Sequence, residues 1–536
     1  MSAQGCITAP QPEAAEAGAD VLRDGGNAVD AAVACALVQS VVDPFMCGLA
    51  GFGSAQVLMA DGRHGFIDFH GRAPAAARPD MWADIVLGEA EDGFGFLLEG
   101  AVNEIGYQSV TTPMTLRALA LALERYGTRS LADLLPAAIH YAEEGFAIRP
   151  AVTGYWHEVP KAGRVAHIEF LTRIPATAKC YLRPDGTVPR IGDIHRNADM
   201  ARTLRRIAEA GPEDFYTGAI AGEIAADMAA HGGLLSAEDL AEARPTEGAP
   251  LWGDYRGYRI ATNQPPGGGV ILLEMLNILE QFDLAGMGHN SAEYVATVSE
   301  AMKIATVDKD TKVGDPRFVE VPVAELTSKD YAAAAAARIR AGEKAHVPRL
   351  NRGPEEPKDT THICTVDCAG NLVTMTHSIG MPSGVVTEGL GFMYNGCMGV
   401  FDPRPGRAGS LAPGKSRFTA MCPTILFDGE GPAMAIGAPG GTYITMGVLQ
   451  GILNMVDFGM TAAEAVAAPR FCTTSDTIDL TNRVLRRTEA GLQAMGYATR
   501  RSAMSYGFAA VHALRRGPDG WRGGADPGRD GMAVLV

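Results

Sequence analysis

The spacing of apolar and polar positions divides the chain in two. Residues 13–23 place Ala14, Ala15, Val21 and Leu22 at helical intervals and stop at Gly25-Gly26, a usual helix exit. Asn27 can cap the next segment, AVDAAVACALVQSVV, whose near-continuous Ala and Val content predicts a buried helix. A glycine-rich strand region, GLAGFGSAQVLMA, comes next and ends at the turn Asp61-Gly62. Helical patterns then dominate, over residues 115–126, 131–144, 201–210 and 217–231. A further long helix starts near Val270 after NQPPGGG, and an alanine-rich one covers 332–345. The stretch HVPRLNRGPEEPKDTTH breaks this pattern. Rich in proline and charge and poor in apolar residues, it reads as an exposed linker. Beyond it, HICTVDCAGNLVTMTHSIG alternates like paired strands around the turn Cys368-Ala369-Gly370-Asn371. Strand-like runs come at 423–427 and 433–436, then helices over 444–458 and 462–468. A helical front thus meets a strand-led back near residue 359, with no internal repeat.

Composition narrows this picture. At 536 residues the chain exceeds one ordinary core, so one very large domain or two interlocked parts are expected. A hydrophobic share of 47% with 20% charged residues describes a globular, soluble chain. The net charge of −16 argues against a nucleic-acid surface, which needs a basic face, and leaves a small molecule or peptide as the partner. Nine cysteines scattered from Cys6 to Cys472 read as reduced core thiols, not as a disulfide framework. The first eighteen residues show neither a basic n-region nor an apolar h-region, and no run approaches the length of a membrane span. The expectation is a cytoplasmic enzyme with no membrane partner.

The candidate chemistry lies at Asp359-Thr360-Thr361-His362, where the linker meets a strand. A threonine hydroxyl is a poor nucleophile until a base takes its proton, and at the start of a chain the residue's own α-amine can do so. That amine has an ordinary pKa of about 7.7–8.0, close to working pH. Inside an uncut chain the same nitrogen is an amide without basicity, so the bond Asp359-Thr360 would have to break first. Taken alone, Thr-Thr at a strand start reads more readily as structure. His362, Cys364 and Cys368 would share one face of a strand, but no fourth ligand is apparent nearby, and no metal is expected. GLAGFG, at residues 48–53, is not G-x-G-x-x-G and comes after a helix, and neither G-x-S-x-G nor a Walker A pattern occurs. No cofactor is expected.

Several segments, in order, resemble the γ-glutamyltranspeptidase family of N-terminal nucleophile hydrolases. They are GGNAVDAAVACAL at residues 25–37, then AIHYAEEGF, GPEDFYTG, GGLLSAEDL and GDYRGYRI, then TTHICTVDCAGNLV, MCPTILF, GAPGGTYI and EAVAAPRF. The resemblance implies a four-layer αββα sandwich, with extra helices in the large part, made as one precursor. It implies self-cleavage into residues 1–359 and 360–536, which interlock as one domain and assemble as a dimer or tetramer of that heterodimer. Thr360 would be the nucleophile, and Thr361 a strand residue. Ser378 falls where the family places a second hydroxyl near the nucleophile's amine. Gly440-Gly441 match the family's oxyanion site, where backbone N–H groups meet the charge growing on the attacked carbonyl. One such donor elsewhere supplies roughly 2.7–4 kcal/mol. Glycine there would let substrate approach the backbone; alone, the motif reads as a turn after a strand.

The sequence departs from the family where a γ-glutamyl group would bind. The segment that should carry a carboxylate-binding Arg reads Phe69-His70-Gly71-Arg72-Ala73-Pro74, with His70 in its place and Arg72 two residues on. The stretch that should carry two acids for the α-amine reads Asn395-Gly396-Cys397-Met398-Gly399-Val400. The paired serines appear as Thr419-Ala420, and an expected Asn is Gly380. Candidate substrate contacts are therefore His70, Arg72, Met398, Val400, Thr419, Ala420 and Tyr443, the last from GAPGGTYI. An ammonium without a carboxylate would be left uncompensated, and His cannot copy a bidentate Arg. Residues 402–417, DPRPGRAGSLAPGKSR, set Arg404, Arg407, Lys415 and Arg417 against one acid, which reads either as a patch favouring an anion or as solvated loop charge. The expectation is a self-processing N-terminal threonine amidohydrolase acting on a small, acidic, oxamate-like amide or another non-γ-glutamyl acyl amide. Relatives of that kind hydrolyse oxamate-like small amides and cephalosporin-type acyl amides. The rivals are a γ-glutamyltransferase or glutathione hydrolase with an altered pocket, and a non-catalytic, unprocessed relative serving as a binding protein.

Overall fold

The computed structural model describes residues 5–90, 95–157, 163–348 and 360–536. In chain order the strands of its two large sheets are β1 (Cys6–Ala9), β2 (Phe52–Leu58), β3 (His64–Phe69), β4 (Thr246–Gly248), β5 (Leu251–Tyr255) and β6 (Tyr258–Thr262). They continue with β7 (Thr361–Val366), β8 (Leu372–Ser378), β9 (Thr424–Asp428), β10 (Gly431–Gly437), β11 (His512–Gly517), β12 (Gly520–Ala525) and β13 (Met532–Leu535). One sheet runs β13-β1-β7-β8-β2-β3-β4 and the other β12-β11-β10-β9-β6-β5. Every pairing within both is antiparallel.

The helices that cover them are α1 (Pro12–Arg23), α2 (Ala28–Val42) and α3 (Thr115–Tyr126) on the first sheet, and α4 (Gly269–Leu279), α6 (Ile444–Val456) and α7 (Ala462–Ala467) on the second; α5 (Ala292–Lys312) packs on α4. With β7 and β8 facing β10 and β11, the layers are α, β, β, α. Between the sheets Cys364, Val366 and Leu372 meet Ile425, Ala435 and Leu514. Gln56 crosses the same gap, its Nε2 donating to the carbonyls of Ala261 (2.9 Å) and Pro423 (2.6 Å). Among the described residues no helix is long and apolar enough to cross a membrane.

Several elements form where the pattern places them. α2 is buried along its whole length and opens on a capping box between Asn27 and Asp30. The helix expected over 131–144 is instead two, Leu131–Leu134 and Pro136–Glu143, because Pro136 has no N–H to continue the first. The alanine-rich helix runs Lys329–Arg340, starting three residues earlier than its composition suggests, because Ser328 caps it, and ending five earlier. The division into a helical front and a strand-led back is corrected: β1 to β6 come from the front. β1 pairs with β7, β2 with β8 and β6 with β9, so both sheets interleave strands from either side of residue 359. Residues 349–359, the body of the linker with Asp359, lie outside the described residues.

Candidate active site

Thr360 precedes β7 and Ser378 closes β8. The hairpin pairs Thr361 with His377, which brings residues 360 and 378 to the same end of the sheet. There the Thr360 hydroxyl donates to Ser378 Oγ at 2.8 Å, and the Gly380 N–H donates to the same oxygen at 2.8 Å. The Thr360 N–H donates to the Met46 carbonyl at 3.2 Å. Thr360 is buried and has φ +92°, a conformation that a β-branched residue adopts only under steric strain. Thr361 faces the other way. Its hydroxyl accepts from Gln39 Nε2 at 2.8 Å beneath α2, in a network that includes His377.

Opposite this pair, β10 leads through Gly440 into a short turn, Gly441–Tyr443, and then α6. The Tyr443 N–H donates to the Gly440 carbonyl at 3.0 Å. Among the described residues, neither the Gly440 nor the Gly441 N–H donates to a backbone carbonyl of the turn, and both lie at the N-terminal end of α6. Gly440 sits at φ +135°, and a Cβ there would lie 2.6 Å from Ala509 Cα. Glycine at 440 is thus required by backbone conformation and packing.

A cavity of about 350 Å³ opens over these groups, lined by Thr360, Gly380, Gly441, Val400, Thr419 and Ala420. Phe96, Phe418, Met421 and Ile444 give it apolar walls. Four other candidates lie off this lining. His70 is buried with Nδ1 2.5 Å from Asp68 Oδ1; burial alone would raise the Asp68 carboxyl, but His70 and Arg72 hold it below its usual range. Arg72 turns to the Arg244 carbonyl (3.3 Å) and the Thr246 hydroxyl (3.2 Å). Met398 packs among Trp82, Leu98, Phe401 and Leu411, and Tyr443 stands against the edge of Phe508. Gly380 has no room for the family's Asn, since a Cβ at its φ of +61° would lie 2.8 Å from Cys397 Sγ.

The loop charges separate. Lys415 is spent on the carbonyls of Ala408 and Ser410, whereas Arg404, Arg407 and Arg417 reach the cavity. Glu89, Lys309 and Asp310 join them from segments that carry no local signal of a site. Backbone contacts explain the placement of Arg417: Ser416 bridges Arg72, and the Ser416 N–H donates to Asp315 at 2.8 Å. The segment expected to supply a cation at His70 or Arg72 thus also fixes, through the bridge from Arg72 to Ser416, the position of Arg417.

His362 and Cys364 do share a face, with Nε2 and Sγ 3.1 Å apart, but Cys368 lies in the exposed turn. Burial pushes His362 well below the usual histidine range and the Cys364 thiol up to about 12, so both are neutral. Among the described residues no cluster of His, Cys, Asp and Glu is arranged to hold a metal ion.

The family model named Gamma-glutamyltranspeptidase matches residues 14–536. The chain belongs to the γ-glutamyltranspeptidase family. It is 36% identical over 539 residues to the Acylase ACY 1 proenzyme of Pseudomonas sp. (strain V22), covering 99% of this chain and 94% of that relative. It is 34% identical over 490 residues to the Glutathione hydrolase proenzyme of Escherichia coli (strain K12), covering 87% and 80%. A solved structure, cephalosporin acylase from Bacillus halodurans, superposes with a TM-score of 0.86 at 30% identity, covering 99% of this chain and 96% of that one. The αββα sandwich is therefore that of the N-terminal nucleophile hydrolases, and this γ-glutamyltranspeptidase relative is an amide-bond hydrolase or acyl transferase.

Proposed function

We propose that the chain is a self-processing N-terminal threonine amidohydrolase that cuts a small amide whose acyl part is acidic and not γ-glutamyl. The observation that carries this reading is the hydrogen bond to Ser378 from Thr360, which lines a cavity together with Gly441 of the glycine turn. In maturation the bond Asp359-Thr360 breaks with addition of water, leaving a carboxylate on Asp359 and a free amine on Thr360. In turnover that amine takes the hydroxyl proton as Thr360 Oγ1 attacks the substrate carbonyl. The amides of Gly440 and Gly441 receive the oxyanion, the proton passes to the leaving amine, and water then hydrolyses the ester.

The same cavity argues against a γ-glutamyl group. Among the described residues its three carboxylates, on Glu89, Asp310 and Asp402, are each paired with a cation at 3.1, 2.8 and 2.8 Å, which leaves none of them for a substrate ammonium. The similarity to an acylase over 99% of the chain points the same way. No disulfide joins any of the nine cysteines, which suits a reducing, cytoplasmic setting. A denaturing gel tests maturation: the expected products are residues 1–359 and 360–536, absent in Thr360→Ala, and one unbroken wild-type chain would refute it. A γ-glutamyl anilide compared with a small acidic acyl amide tests the pocket. Brisk turnover of the γ-glutamyl compound overturns the acyl assignment.

A further inference from the structure

Among the described residues seven charged side chains line the cavity: Glu89, Asp310 and Asp402 against Lys309, Arg404, Arg407 and Arg417. Arg404 holds both Asp402 (2.8 Å) and Glu89 (3.1 Å), Arg407 lies 3.7 Å from Asp402, and Lys309 lies 2.8 Å from Asp310. Arg417 has no carboxylate partner among the described residues. It is only 7% exposed, its Nη1 donates to the Phe418 carbonyl at 2.8 Å, and its Nε is buried with no acceptor. A buried cation without a counter-ion is destabilising unless a ligand supplies one.

We propose that Arg417 is the anion anchor for the acyl group, and that the acyl group is a short diacid residue carrying a free carboxylate and no neighbouring ammonium. The inference rests on Thr360 as the nucleophile. With Nη1 engaged, the guanidinium edge formed by Nε and Nη2 is the one that accepts a carboxylate side-on. Its carbon lies 4.9 Å over the Phe52 ring, and Phe52 is the cross-strand partner of Ser378, so the cation is held beside the Thr360–Ser378 pair. Burial assigns it to the acyl side. The side chains of Arg404 and Arg407 are 33% and 57% exposed, open to a departing amine, whereas Arg417 is buried, as an acyl group held on Thr360 would be.

The test is calorimetric titration of the protein as isolated with glutarate and with valerate, which has a methyl in place of the second carboxylate. Kinetics with glutaryl and valeryl p-nitroanilides run in parallel. Wild type should prefer the diacid by at least about tenfold in both, Arg417→Met should lose the preference, and Arg417→Lys should recover part of it. Equal binding of glutarate and valerate by wild type, or an undiminished preference in Arg417→Met, overturns the proposal. So does a preference that tracks a carboxylate on the leaving amine. Should Arg417→Met not fold, as judged by its circular dichroism, the wild-type pair and Arg417→Lys still decide. Failure of the chain to cleave itself on the gel would instead strike the nucleophile assignment, and binding of glutarate is read independently of it.

Discussion

At Thr360 the hydroxyl is already committed to Ser378, and the strained backbone that holds it there is fixed by the Met46 contact and the hairpin beyond it. Ser378→Ala removes the acceptor and also strands the Gly380 N–H. Self-cleavage, monitored on a gel, should slow by roughly ten- to hundredfold, the worth of one buried hydrogen bond to a reacting group. Gly440→Ala sets a side chain at φ +135° against the Ala509 backbone. It should destabilise the protein by about 1–3 kcal/mol in denaturant titration and slow turnover by moving the turn. An unchanged melt would show that the turn can relax. Thr360, Ser378 and the glycine pair are legible in sequence only through the ordered set of family motifs around them, since Thr-Thr and Gly-Gly alone read as structure. Arg417 is not distinguishable there from its loop neighbours. What singles it out is that Asp402 takes Arg404 and Asp310 takes Lys309, pairings made by the fold.

The hairpin of β7 and β8 is the element on which the site depends, and one residue at its far end ties it to the large part. Asp367 Oδ1 accepts the N–H groups of Ala369 and Asn371, while Oδ2 accepts the Asn371 side chain and the Ala28 N–H at the start of α2. Asp367→Ala should lower stability by about 1–3 kcal/mol, since it leaves those donors unmet and removes an anion from a helix N-terminus. Equilibrium unfolding in urea measures it, and a change within error would show that water replaces the carboxylate. Legibility varies with how local each element's cause is. The helix Ala28–Val42 and the strands of this hairpin carry their own periodicity and turn residues. β1 and β13 carry no such signal, and for β5, β6, β11 and β12 only the turns Arg256-Gly257 and Pro518-Asp519 are marked. Strands such as GWRGGA, rich in glycine, exist because a neighbouring strand offers hydrogen bonds, which no local pattern records. Within the hairpin the alternation suggests one buried face, yet both faces are covered: Thr365 bonds the Ala28 carbonyl, and His362 packs on Gly437.

For the whole molecule, interleaving means that cutting at residue 359 cannot separate the parts without stripping β7 and β8 from β1 and β2, and β9 from β6. Cleaved protein should therefore elute as one particle containing both fragments in native gel filtration; separate elution would contradict the pairing. The same enclosed layers set the response to acid. Burial lowers the pKa of His377 and of His512 to about 3, and that of His362 well below its usual value. Unfolded histidines titrate near ~6.5. Between that pH and about 3, the unfolded chain binds protons that the native chain refuses, so stability is full above the window and falls as pH drops through it. Each histidine contributes a slope of about 1.4 kcal/mol per pH unit. His64 and His195, lowered by burial to about 4, and His289, also lowered, add to this, while Asp479, pushed by burial up to about 6, and the raised carboxyls of Asp43, Glu274 and Asp457 oppose it. Neither ring nitrogen of His512 has a hydrogen-bond partner, so His512→Met removes the titration without stranding a donor. As pH is lowered from 7 to 4.5, the urea midpoint of wild type should fall relative to that of this variant. Parallel curves would mean that His512 takes up its proton in the folded protein.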